Sequence, residues 1–160
     1  MLLARVEQLQ SRSVPPAPLP PMSPERADGL MSQARQLEET GDVLAAIAAL
    51  KRAAAAPSRS GAALSECGRL QRQRGEREEA LTTFKHSLHH IEDPTRIAWV
   101  YAQMGQLYFS MREDEEATYY FRRAASLDGR YEHLLERTAS VATPELHSLD
   151  TAEIELTTLQ

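Results

Sequence analysis

The residues best spaced for metal chemistry are histidines near the middle of the chain. His86 and His90 are four residues apart, the spacing at which two imidazoles on one helix face can share a metal ion, and Asp93 could add a ligand. The same residues, with His89, are also typical of an exposed last helical turn, where a protonated imidazole interacts favourably with the helix dipole. We favour the second interpretation and predict no metal site.

The sequence offers few groups for covalent catalysis. Cys67 is the only cysteine, so an internal disulfide is excluded and a reducing compartment is favoured. A lone cysteine is usually a small buried residue. No histidine is paired by the pattern with a nucleophile and an orienting acid, and no glycine-rich phosphate loop is present. We therefore predict a protein that is not an enzyme, with no catalytic residue and no cofactor.

The distribution of charge excludes several other functions. A formal net charge of −5 argues against nucleic acid as the main ligand, because phosphate binding needs a clustered basic surface. No apolar run approaches the roughly 20 residues of a membrane span. We predict a cytoplasmic protein without membrane insertion. Much of the excess acid lies after residue 143, where the chain has four carboxylates and no Lys or Arg, at Glu145, Asp150, Glu153 and Glu155.

Composition indicates which elements must position any site. The chain has 160 residues, 42% of them hydrophobic and 26% charged, which suits one globular domain. Glycine is scarce and alanine abundant, which favours helices and predicts an all-α fold. We divide the chain into a short amphipathic helix at 1–12, a proline-rich linker at 13–24, a helical domain at 25–142 and an acidic flexible tail at 143–160.

Breaks between the helical segments recur along the chain. Gly41-Asp42 and Gly75-Glu76 are 34 residues apart, and Arg112-Glu113 follows 37 residues later, as if three residues were inserted near 90–94. Each unit also carries a pattern of large, small and large residues. In the first unit the pattern consists of Leu30, Gln33, Ala34, Leu37, Ala46 and Leu50. In the second it consists of Leu64, Cys67, Gly68, Gln71, Ala80 and Phe84, and in the third of Tyr101, Met104, Gly105, Tyr108, Ala117 and Phe121.

This pattern resembles the tetratricopeptide repeat family, whose repeat length is 34. The resemblance implies a short α-solenoid of three antiparallel helix pairs, with repeats at about 27–57, 61–93 and 98–129 and a capping helix at 130–142. Two helices cross closely only where side chains are small. We therefore expect Gly68 to face Ala80, and Gly105 to face Ala117.

In this family the first helices of successive units line a concave surface on which peptides lie. Carried over by position, the partner-binding residues are Arg35, Arg69, Arg72, Gln103, Gln106 and Phe109. Arginine suits carboxylates because its planar fork can donate two parallel hydrogen bonds, so an acidic or C-terminal peptide is the expected ligand. The alternative is that these arginines are solvated or pair with nearby glutamates, such as Glu38, Glu39 or Glu66.

Some family members bind the C-termini of heat-shock chaperones through a clamp of lysine, asparagine and arginine. The equivalent positions here are Met31, Arg35, Glu66, Trp99 and Gln103, so the clamp is absent. Length and repeat count also resemble the small repeat chaperones of bacterial secretion systems.

The resemblance implies an adaptor, assembly factor or dedicated chaperone that binds a protein or peptide partner. The alternative is a self-associating scaffold, a homo-oligomer formed through residues 2–12. The N-terminal helix or the acidic tail could also occupy the concave groove until a partner displaces it.

Overall fold

The computed structural model of the chain describes residues 20–141, so the segments predicted at 1–12 and 143–160, and most of the linker, lie outside the described residues. The described part is helical and contains no strand. Its helices are α1 Pro24–Glu39, α2 Val43–Ala53, α3 Pro57–Gln73, α4 Arg77–Leu88, α5 Pro94–Ser110, α6 Asp114–Leu127 and α7 His133–Val141, with a 3-10 turn at Gly129–Tyr131 before the last. None of these helices is long and apolar enough to cross a membrane.

The first helix of each pair begins with a proline, at Pro24, Pro57 and Pro94. Proline is suited to this position because its missing N–H would have no intrahelical partner there. Asp93 caps α5 by accepting a hydrogen bond from the Thr95 N–H at 3.0 Å, and Ser23 caps α1 in the same way. The helices therefore begin three or four residues before the repeat starts expected at 27, 61 and 98.

The turn inside each pair has the same conformation in all three units. Gly41, Gly75 and Arg112 have φ values of 86°, 82° and 65°, in the left-handed region. The residue after each donates its N–H to the carbonyl five residues earlier, at distances of 2.8–3.0 Å. This closure ends a helix by satisfying its last carbonyls, and glycine adopts it without a Cβ penalty. The third unit makes the same turn with Arg112 in the position that glycine takes in the first two units.

The helices pack as three consecutive antiparallel pairs, α1 with α2, α3 with α4 and α5 with α6, and α7 packs on α6. Leu134 of α7 is 3% exposed and lies against Phe121 and Ala124, so the last pair has its apolar face covered. The prediction of an all-α solenoid with three helix pairs and a capping helix is confirmed.

In the second and third pairs, the closest approach to the first helix is made by a phenylalanine ring. The atoms nearest to Gly68 belong to the Phe84 ring, and a Cβ added at Gly68 would lie 2.8 Å from it. A Cβ at Gly105 would lie 2.5 Å from Cδ1 of Phe121. The ring of the residue one turn after Ala80 or Ala117 therefore fills the space that the missing side chain leaves, and this ring makes glycine necessary at both positions.

In the first pair, side chains of other sizes occupy the positions of the glycine and the phenylalanine. Ala34 stands at the position of the two glycines, and Leu50 at the position of the two phenylalanines. Both are buried in one cluster with Ala46. A smaller partner on α2 leaves room for one methyl group on α1, so glycine is needed only where an aromatic ring lies opposite.

Replacing Gly105 with alanine should destabilise the protein by about 1–3 kcal/mol, because the new methyl group overlaps a buried ring. Gly29→Ala is the matched control, since Gly29 is also helical but nothing lies within 4 Å of its added Cβ. We expect the control to stabilise by about 0.5–1 kcal/mol through helix propensity. Urea denaturation measures both variants, and changes of the same sign would contradict the packing argument.

Cys67 gives the fold a dependence on pH. Its side chain is fully buried, and burial raises the pKa of the thiol to about 11 from the ordinary 9.0. Because the unfolded chain releases this proton first, native stability should fall as pH rises from 9 to 11, by about 2 kcal/mol. Urea denaturation at both pH values should show a smaller fall for Cys67→Ala than for the natural chain. An equal fall in the two proteins would assign the effect to other groups.

Candidate functional site: the concave surface

Three contacts align the first helices of successive pairs. Arg59 of α3 donates to Asp28 of α1, Arg69 of α3 donates to Glu38 of α1, and Arg96 of α5 donates to Ser65 of α3. In each contact the two residues are 31 positions apart. Since one spacing holds at both ends of α1, α1 and α3 run parallel in fixed register. These helices form the face on which the predicted partner-binding residues lie.

Arg69 is the centre of an ion network on this face. Its Nη1 and Nη2 donate to the two oxygens of Glu38 at 2.9 and 2.7 Å, and its Nε donates to Glu66 at 2.9 Å. The hydrogen bond from Arg69 lowers the pKa of Glu38, and the same bond is the largest cause that raises the pKa of Arg69. Arg69 therefore joins α1 to α3, and Arg96, 3.8 Å from Glu66, supplies the second positive charge that the two carboxylates need.

Arg72 lies one turn further along α3 in a different environment. Its Nη1 donates to Oε1 of Gln106 on α5 at 3.0 Å, while its Nε is buried without a partner. Among the described residues no carboxylate lies within 4.0 Å of it. Burial, followed by the nearby charge of Arg69, lowers the pKa of Arg72. Arg72 is thus a half-buried cation whose charge is not balanced.

The other predicted residues lie on α1 and α5, the first helices on either side of α3. Gln103, half-buried on α5, has an Oε1 atom that is buried and unpartnered. Phe109 is half-buried, and the guanidinium of Arg137 from α7 lies 5.4 Å from its ring centre. Arg35 is exposed and lines a narrow cleft with Arg69, but it makes no ion pair within the described part of the chain. The structure therefore joins Arg72 to Gln106 directly and places the three arginines in different environments.

A second cleft lies where α5 begins, and its residues were not among those predicted. Its volume is about 360 Å³, and its lining includes Arg96 and Trp99 of α5, Arg130 and Tyr131 of the 3-10 turn, and Glu66 of α3. The Trp99 ring meets Phe84 edge-on at 6.1 Å, which fixes its place in the wall. The 3-10 turn lies between the third pair and the capping helix, outside the repeats. The repeat pattern therefore could not predict that Arg130 and Tyr131 line this cleft.

The histidines considered for metal binding lie at and just after the end of α4, the second helix of the second pair. His86 and His90 are exposed at the end of α4, with ring centres 5.2 Å apart. Within residues 20–141 no group of three or more His, Cys, Asp or Glu side chains is arranged to hold a metal ion.

Comparison with known proteins locates the fold among solved structures. No family model matches the chain, and neither does any curated protein. The first tetratricopeptide domain of Spaghetti (RPAP3), bound to the HSP90 peptide SRMEEVD, matches with a TM-score of 0.66 and 13% identity, over 77% of this chain and 98% of that one. PcrH from Pseudomonas aeruginosa matches with a TM-score of 0.61 and 16% identity, over 78% of this chain and 94% of that one.

A tetratricopeptide repeat protein from Parabacteroides merdae is also similar, with a TM-score of 0.60 and 20% identity. The match covers 69% of this chain and 43% of the longer Parabacteroides chain. At these identities the likeness concerns the path of the backbone, and the resemblance inferred from the repeat pattern is confirmed at that level. The chain has the tetratricopeptide-repeat fold.

Proposed function

We propose that the protein is a non-catalytic interaction module that holds an acidic segment of another protein on its concave surface. It would act as an adaptor, an assembly factor or a dedicated chaperone. The observation that carries this proposal is Arg72, a half-buried cation with an unpartnered Nε and no carboxylate partner. A cation held in this way is costly unless a partner supplies the opposite charge. A ligand carboxylate would do so.

Two further arginines extend the positive surface beyond Arg72. Arg35 on α1 and Arg137 on α7 are exposed and without a carboxylate within 4.0 Å in the described chain. They lie towards opposite ends of the concave face, because Arg137 stacks on Phe109 of the last pair. Since the whole protein carries a net charge of −5, this arginine row opposes the overall charge and favours an acidic ligand locally.

The dimensions of the face indicate the length of segment that it holds. Neighbouring helices pack roughly 8–10 Å apart, so the three first helices span about 20 Å from the axis of α1 to that of α5. An extended chain covers about 3.3 Å per residue, so about six residues would cross all three helices. A short linear segment is therefore sufficient as the ligand.

The comparison structure with a bound ligand is consistent with this class of segment. The Spaghetti domain is bound to an HSP90 peptide that carries two glutamates and an aspartate. Our chain has Met31, Glu66 and Trp99 at three positions of the family's clamp, so we assign carboxylate binding to the arginine row, in which only Arg35 stands at a clamp position. The predicted neighbours Gln103, Gln106 and Phe109 would contact the backbone and apolar side chains of the segment.

The chemistry of the described residues supports a non-catalytic role. Cys67, the lone thiol, is fully buried, and its raised pKa keeps it protonated at neutral pH. It therefore lacks the exposed thiolate that catalysis by a cysteine nucleophile requires. A reduced buried thiol also agrees with the cytoplasmic location that we propose.

Capture from an extract of cells that express the protein natively tests the proposed site. A partner held by the natural chain should be retained at least about 10- to 100-fold less by an Arg35→Glu/Arg72→Gln variant, because the loss of even one hydrogen bond to a charged group costs about 1.5–3 kcal/mol. Quantitative mass spectrometry of the eluate measures retention. The variant leaves the Arg69 network intact, so its helix content and urea midpoint should change little.

Arg77→Glu supplies the matched control, since Arg77 is an exposed arginine at the start of α4, away from the concave face. A photoreactive side chain placed at Phe109 should crosslink the same partner. If the control loses the partner as strongly as the double variant, or if Phe109 gives no crosslink, binding lies off the concave surface and the proposal fails.

A further inference from the structure

A groove lined by tyrosines lies between the second helices of the last two pairs, away from the concave surface. We call it the tyrosine groove. Its lining comprises Lys85, Leu88 and His89 of α4, Tyr101 and Met104 of α5, and Tyr119, Tyr120 and Arg123 of α6, and its volume is about 430 Å³. Tyr119 is 52% exposed although it is one of the larger apolar side chains, so the groove presents aromatic surface to solvent.

The aromatic wall of the tyrosine groove is ordered by stacking. Tyr120 stacks on Tyr108 with ring centres 5.3 Å apart and planes 3° from parallel, and it meets Tyr101 at 6.0 Å. Arg123 lies across the wall, donating to the hydroxyls of Tyr119 at 3.1 Å and Tyr101 at 3.0 Å. Its guanidinium carbon is 5.0 Å from the Tyr101 ring centre. The guanidinium is thus held in place by neutral groups alone.

The charge of the tyrosine groove is positive and unbalanced. Lys85 and Arg123 are exposed, and in the described chain neither has a carboxylate within 4.0 Å. No residue of the lining carries a carboxylate. Arg69 on the concave face, by contrast, donates to two carboxylates, those of Glu38 and Glu66. A segment that combined carboxylates with apolar side chains would therefore match both the cations and the rings of the groove.

The position of α7 brings such a segment close to the groove. Thr138 and Ala139 of α7 line a shared cavity with Thr118 and Arg122 of α6. The second half of α7 therefore lies at the same level along α6 as Tyr119 but on another face of that helix, so the chain has to pass around α6 to enter the groove. A helix is about 10 Å across, and three or four extended residues cover that distance at about 3.3 Å each. The chain that follows Val141 starts within reach of the groove.

We infer that residues 145–156 of the same chain dock in the tyrosine groove. This segment contains Glu145, Asp150, Glu153 and Glu155 and has no Lys or Arg. Its apolar residues are Leu146, Leu149, Ile154 and Leu156. The carboxylates pair with Lys85 and Arg123, and the leucines cover the exposed tyrosine rings. The inference is independent of the proposed function, because docking on this side leaves the concave surface open for a partner.

Paramagnetic relaxation in the full-length chain tests the docking. Ser148→Cys provides a site for a nitroxide spin label at neutral pH, where buried Cys67 stays protonated and unmodified. The amide signals of Lys85, Tyr119 and Arg123 should broaden strongly. Broadening at Arg35 and Arg69 instead, or no selective broadening in the folded domain, would overturn the inference.

Charge reversal identifies the contacts that hold the segment. Lys85→Glu/Arg123→Glu should lower the ratio of docked to undocked segment about tenfold, a change that needs only ~1.4 kcal/mol over two partly exposed pairs. Lys51→Glu/Arg52→Glu is the matched control, because it reverses the same two residue types on exposed positions of α2. Broadening that survives the first variant, or that disappears equally in the control, would contradict pairing at the groove.

Mixed samples separate docking within one chain from docking between copies. A spin-labelled chain without ¹⁵N is mixed with a ¹⁵N chain that carries no label. If the segment docks on its own domain, the ¹⁵N chain in the mixture shows no broadening at the tyrosine groove. In samples where one chain carries both the spin label and ¹⁵N, the broadening then does not change on dilution. Broadening in the mixture would assign the groove to a second copy and reject the intramolecular inference.

Discussion

The structure depends on how closely the two helices of a pair can approach. At Gly68 and Gly105 the missing side chain leaves a space into which the ring of Phe84 or Phe121 fits, with no room for a Cβ. This contact fixes the separation and crossing of α3 with α4 and of α5 with α6. The similar left-handed turns at Gly41, Gly75 and Arg112 then set where the second helix begins. Because both constraints recur, the pairs stack as repeats of one unit.

Stacking of similar pairs has an electrostatic consequence on the concave face. Since α1 and α3 run parallel in one register, an arginine on α3 reaches back to a carboxylate 31 residues earlier on α1, as Arg69 does to Glu38. At Arg72 the residue on the next helix is Gln106, an amide that accepts a hydrogen bond but carries no charge. Both arginines therefore join α3 to a neighbouring helix, but only Arg69 is paired with carboxylates, and the charge of Arg72 has no carboxylate partner in the described chain.

Local patterns in the sequence were sufficient to predict the fold, but only part of the candidate site. The period of 34 and the recurring turns are properties of one unit, so they were visible even where Arg112 replaces glycine. The difference between Arg69 and Arg72 depends on contacts between units, and equivalent positions alone could not separate them. The Gly–Phe contact was missed because the family pattern emphasises small residues, whereas the size of the opposing ring decides which small residue is tolerated.

The two sides of the domain accordingly differ in how their arginines are held. On the concave side, Arg69 and Arg96 contact residues of a neighbouring first helix, so changes there alter the stacking of units as well as the surface charge. In the tyrosine groove, Arg123 contacts only tyrosine hydroxyls and rings from the last pair, and its loss would leave the stacking intact. Because the groove's cations take no part in joining units, their arrangement is explained by neither the fold nor the concave site. A segment bound to the groove would give that charge a partner without competing for the face that the repeats build.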